Sequence, residues 1–126
     1  LKLFEDKNMK LLLSLLVVLI STSTHAGEVD VTAVKATKSG DGTYRFSVTL
    51  RHADTGWDHY ANKWDVVAPD GTVLGTRVLA HPHVQEQPFT RSLGGVKIPA
   101  GVTTVTLRGG DSVHGEGGKV IRVKLD

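Results

Sequence analysis

Two features of the chain beyond residue 26 predict an all-β domain. Apolar and polar residues alternate with a period of two along most of it, and no stretch holds a helical period for three turns. Glycine- and proline-bearing turn signals break the alternation at short intervals, as they do between the strands of a sandwich or barrel.

Each predicted strand follows from its residues. The first, residues 28–38, places Val29, Val31 and Ala33 on one face, and a phase change near Val34 marks a bulge. Ser39-Gly40-Asp41-Gly42 supplies a turn. The second, residues 43–52, is the clearest: Tyr44, Phe46, Val48 and Leu50 face one way, Thr43, Arg45, Ser47, Thr49 and Arg51 the other, and His52 continues the apolar face. A polar loop, residues 53–62, leads to a third strand, residues 63–68, carrying Trp64 and Val66 in alternation. Pro69-Asp70-Gly71 makes a tight hairpin into a fourth, residues 72–80. Two prolines keep the next stretch, HPHVQEQP, out of a central ladder. A fifth strand, residues 89–93, runs through GGVKIPAG to a sixth, residues 102–108. The loop GGDSVHGEGG then precedes a seventh, residues 119–125, with Ile121, Val123 and Leu125 on one face. Seven short strands in about 100 residues predict a seven-stranded antiparallel immunoglobulin-like (fibronectin III-like) sandwich, with a small closed barrel as the alternative. Trp64 falls where such sandwiches bury a tryptophan, so it is assigned to the core.

The first 26 residues are set apart from the fold. Met9-Lys10, the apolar run of residues 11–20 and the small residues ending in Thr24-His25-Ala26 have the order of a signal peptide, residues 9–26, cleaved near Ala26/Gly27. The run is about half the roughly 20 residues that a membrane-spanning helix needs. Residues 1–8 precede the methionine and read as upstream sequence or a misplaced start. The mature part, residues 27–126, is of single-domain size and is expected in the periplasm or outside the cell, with no membrane span. No cysteine follows the apolar run, which argues against a lipid anchor.

Charge and composition narrow the function. From Gly27 onward there are 12 Lys and Arg against 11 Asp and Glu, scattered without a basic stripe, so nucleic acid is excluded as a partner. The chain has no cysteine and its one methionine is Met9, so a metal site here must be built from imidazole and oxygen. Neither a G-x-S-x-G turn nor a cysteine nucleophile is present, and binding rather than catalysis is the expectation.

Strand parity localises the binding residues. If seven strands alternate up and down, the connections after strands two, four and six share one end, and all five histidines beyond residue 26 lie in or beside them. These are His52, His59, His81, His83 and His114, with Asp54, Asp58, Glu86, Asp111 and Glu116 nearby. His81-Pro82-His83 is a His-x-His pair whose rings project to one side of an extended backbone, and it is the leading ligand candidate. His114, in a glycine loop, is the least constrained of the five. The five histidines predict a site for Cu(II) or Zn(II), with Asp54 or Glu86 as an oxygen ligand or as the acceptor that orients a ligating imidazole. The other function class is a non-metal interaction module binding an envelope protein or a glycan through Trp57 and Tyr60.

The blocks GWDHYANKWDVVAPDG and HPHVQEQPFTRS resemble small uncharacterised exported bacterial proteins with an immunoglobulin-like or fibronectin-like β-sandwich. That resemblance spans the part after residue 26. It implies compartment and fold and carries over no functional residue.

Overall fold

The computed structural model describes residues 28–126; the expected signal peptide, residues 1–8 and the expected cleavage position lie outside them. Seven strands form: β1 Asp30–Lys38, β2 Tyr44–Arg51, β3 Ala61–Val67, β4 Val73–Val78, β5 Phe89–Val96, β6 Thr104–Asp111 and β7 Gly115–Lys124. They pair antiparallel in two sheets, ordered β1-β2-β5 and β4-β3-β6-β7. Two open sheets rule out the closed barrel among the described residues.

Alternation fills the space between the sheets. Phe46, Val48 and Leu50 of β2 meet Trp64 and Val66 of β3 and Val105 and Leu107 of β6, all fully or almost fully buried. The phase change expected near Val34 is a register shift between Val31 and Ala33. The Pro69-Asp70-Gly71 hairpin closes as its residues require: the Gly71 N–H donates to the Ala68 carbonyl (2.9 Å), and Gly71 takes a φ of 92° that favours glycine.

Strand limits differ from expectation most in the last hairpin. Residues 109–118 read as a loop, yet β6 runs on to Asp111 and β7 starts at Gly115, leaving a short turn. The cause is tertiary. A Cβ on Gly109 would overlap the Val29 side chain, one on Gly117 the Glu28 carboxylate, and one on Gly118 the Val29 carbonyl oxygen. Here glycine marks a close approach of the start of β1 rather than a loop. The approach is fastened by hydrogen bonds from the Gly118 N–H to Glu28 Oε2 (2.6 Å) and from the Lys119 N–H to Asp30 Oδ1 (2.8 Å). β5 likewise continues through Gly94 and Gly95 to Val96, and β3 begins two residues early, at Ala61.

The connections at residues 52–60, 79–88 and 112–114 lie together at one end. The His83 N–H donates to Asp54 Oδ2 (2.7 Å), and the Ser112 N–H to the Tyr60 carbonyl (3.0 Å). At the other end the Tyr44 hydroxyl donates to the Asp126 carbonyl (2.7 Å).

Candidate functional site

His52 is the next inward position after Leu50, so the alternation of β2 carries its imidazole into the interior, where it is buried. Its backbone N–H donates to Gln87 Oε1 (3.0 Å), and the Gln87 amide nitrogen donates to the His83 carbonyl (3.0 Å). This fixes the histidine against the β4–β5 connection. The chain then turns, with the Asp54 N–H donating to the His52 carbonyl (2.9 Å).

Asp54, also buried, ties three segments together. Its Oδ1 lies 2.5 Å from His52 Nδ1 and accepts the Ala61 N–H (3.0 Å), and its Oδ2 accepts the His83 N–H (2.7 Å). A carboxylate on Nδ1 sets the tautomer and orientation of the ring and turns Nε2 toward whatever lies beyond.

What lies beyond is Asp111, at the end of β6. Asp111 Oδ1 accepts the backbone N–H groups of Val113 (2.9 Å) and His114, which shapes the turn into β7. Asp111 Oδ2 stands 3.0 Å from each of three ring nitrogens: His52 Nε2, His59 Nε2 and His114 Nδ1. His59 arrives there on a tight turn, in which the Thr55 N–H donates to the His59 carbonyl (3.0 Å) and the His59 N–H to the Gly56 carbonyl (3.2 Å). The three rings pack edge to face, with centroids 4.8 Å apart for His52 and His59 and 4.9 Å for His59 and His114.

Burial alone would raise the Asp111 pKa. Hydrogen bonds from the His114 backbone, the His114 ring, the His59 ring and the Val113 backbone outweigh it and hold the carboxyl well below the usual carboxylate range. Asp111 is therefore an anion inside the protein, faced by imidazoles. Donor atoms of His52, His59 and Asp111 all lie within 4.8 Å of one another, a spacing that can hold a metal ion.

The other candidates are placed elsewhere. The rings of His81 and His83 do lie together, with centroids 4.6 Å apart, as their spacing implies. But Arg91 Nη2 sits 2.9 Å from His83 Nε2, so that nitrogen accepts from the guanidinium and its lone pair is not offered to a cation. Burial and then the Arg91 charge push the His83 pKa down, and the ring stacks on Phe89 at 4.0 Å. His81 is exposed, its Nδ1 on the Pro82 carbonyl (3.0 Å). Glu86 pairs with Arg91 (3.3 Å) rather than with a histidine of the cluster. Trp57 and Tyr60 stack edge to face at 5.5 Å, Trp57 remaining 67% exposed. Trp64 is in the core.

Asp111 lies at the end to which strand parity assigns the histidine loops, but it is not among the ligands expected from the sequence. The available signal was the run Asp111-Ser112-Val113-His114, in which an aspartate can accept the N–H groups two and three residues on and bring a histidine ring back to itself.

The fold and site define an all-β domain with a buried histidine–aspartate cluster at one end. No family model matches the chain, and no solved structure matches it. It is similar to a protein of Halomicrobium mukohataei described as "Putative lipoprotein", with 43% identity over 99 residues, covering 79% of this chain and 48% of the relative. The chain thus spans about half the length of the curated relative it matches.

Proposed function

We propose that this is an exported envelope protein whose domain, an immunoglobulin-like (fibronectin III-like) sandwich, binds Zn(II) or Cu(II) through His52, His59 and Asp111, with His114 beside them. The observation that carries this reading is the crowding at Asp111. A carboxylate has about four lone-pair sites, two per oxygen, yet Asp111 Oδ2 alone faces three ring nitrogens while Oδ1 takes two backbone N–H groups. A ring nitrogen at such a distance either donates an N–H to the oxygen or shares a cation with it, and a shared cation relieves the excess. Imidazole and carboxylate donors without thiolate suit Zn(II) and Cu(II). Asp54 behind His52 is the supporting carboxylate that metal-bound histidines commonly have.

Export is supported by the signal-like residues 9–26 and by the relative's description as a lipoprotein, with the periplasm or the exterior as the destination. The sandwich assignment is supported by the three-plus-four arrangement and by the buried tryptophan on the third strand.

The test is calorimetric titration of the purified protein with Zn(II) and with Cu(II). One ion per chain is expected. His59→Ala should weaken binding by tenfold or more, and the pair His81→Ala/His83→Ala should leave it unchanged. If the double substitution abolishes uptake while His59→Ala does not, the ion sits elsewhere.

One observation favours a second reading, an interaction module for a protein or glycan. Trp57 stands in the turn that hydrogen bonds between residues 55, 56 and 59 close, stacked on Tyr60 and mostly exposed. On this reading Trp57→Ala removes partner capture and leaves metal uptake intact.

A further inference from the structure

The four groups at the cluster come from separate parts of the scaffold. His52 directly follows β2 of the three-stranded sheet. His59 precedes β3, Asp111 ends β6 and His114 sits in the β6–β7 turn, all on the four-stranded sheet. Their exposure is graded. The side chains of His52 and Asp111 are wholly buried, that of His59 is 23% exposed and that of His114 is 40% exposed. Solvent therefore reaches the cluster at His59 and, more, at His114.

His114 is also tethered there. Its backbone N–H donates to Asp111 Oδ1, so the turn cannot carry the ring away while Asp111 keeps its place. Its Nδ1 is already 3.0 Å from Asp111 Oδ2, and its ring touches that of His59. That nitrogen therefore stands one hydrogen-bond length from an oxygen of the candidate site. Two surface clefts, one lined by Ala68, Pro69, Thr104 and Arg122 and one by Tyr44, Ile98 and Val102, lie at the opposite end of the strands from the cluster.

Resting on the metal reading above, we infer that His114 is the fourth ligand and that the ion is coordinatively closed, a structural cross-link between the two sheets. Structural sites hold the metal with four protein donors, whereas catalytic sites keep a position open for water or substrate. In a chain without cysteine, such an ion joins the sheets at the end that carries the connections of residues 52–60 and 79–88, a cross-link of the kind that small exported domains often draw from disulfides.

The experiment loads the whole protein with Co(II) in place of Zn(II) and records its visible spectrum with and without azide. The expected result is an intense four-coordinate spectrum that azide leaves unchanged. In His114→Ala the loaded spectrum should weaken and respond to azide, because a position has opened; His114→Gln gives a second variant of closer size. Hydrogen exchange of the wild type should slow on loading at residues 52–54 and 111–115 together. An azide response in the wild type overturns the closed site while leaving the metal reading standing. A His114→Ala spectrum identical to that of the wild type overturns His114 as a ligand. Failure of the wild type to take up Co(II), Zn(II) or Cu(II) overturns the metal reading itself, and this inference with it.

Discussion

Asp111 receives two backbone N–H groups on one oxygen and faces three imidazole nitrogens with the other, all from within the protein. Hydrogen bonds to a charged acceptor contribute about 1.5–3 kcal/mol each when buried, and their loss is costly because the donors are left unpaired. The pKa of Asp111 is depressed, so its sign in pH-dependent stability is set. The unfolded chain binds a proton near the ordinary aspartate value of 3.8, and the folded chain does so only at lower pH. The stabilisation is therefore fully present above that value and is lost progressively as pH falls below it. Metal-free protein should lose stability steeply between about pH 4 and pH 2, and Asp111→Asn should show a flatter profile while being less stable at pH 7 by about 1.5–3 kcal/mol. Urea denaturation in a chelating buffer at several pH values measures both. Parallel profiles for the two proteins would show that Asp111 does not carry this dependence.

At the scale of elements, the β6–β7 hairpin is shaped by what packs on it. Gly118 has a φ of 78° and no room for a Cβ beneath the Val29 carbonyl; Gly95 has a φ of 68° with open space around it. A left-handed conformation costs a non-glycine residue about 1–2 kcal/mol, so Gly95→Ala should destabilise by roughly that amount. Gly118→Ala must in addition push the start of β1 away, breaking the hydrogen bonds made by Glu28 and Asp30, and should cost clearly more. The difference between their denaturation midpoints is the measurement; equal midpoints would mean that the β1 start is not held where Gly118 meets it. The same contacts explain why the hairpin was hard to read. Gly-Gly pairs ordinarily end a strand, and only the presence of Val29 and Glu28 across the gap makes them part of one. His52, by contrast, was legible from local alternation, since its position depends only on being two residues beyond Leu50. The His81–His83 pairing was legible too, but not the Arg91 guanidinium beside it. That group lies eight residues away and reaches the ring only through the packing of β5.

For the molecule as a whole, stability rests on one core shared by two sheets, with no disulfide to supplement it. Trp64 is its largest fully buried side chain. Trp64→Ala should cost about 3–5 kcal/mol, a large part of the 5–15 kcal/mol typical of a domain, and lower the thermal midpoint accordingly. Trp64→Phe should cost much less, because it keeps most of the buried apolar volume and the indole Nε1 makes no hydrogen bond to the described residues. Thermal denaturation of the two variants compares these directly; similar losses would mean that the indole N–H matters after all. The sequence by itself determined the period-two strands, their number, the buried tryptophan and the end at which the histidines gather. Each of these depends on alternation and parity, which act between neighbouring residues along one chain. The tertiary structure decided which of the five histidines meet. Parity assigns a loop to an end but not to a place across that end. That place is set by Asp54 and Asp111, whose carboxylates reach N–H groups and rings up to 59 residues distant along the chain. Two acids at the junction of the sheets thus select His52, His59 and His114 from a set that the sequence could only collect.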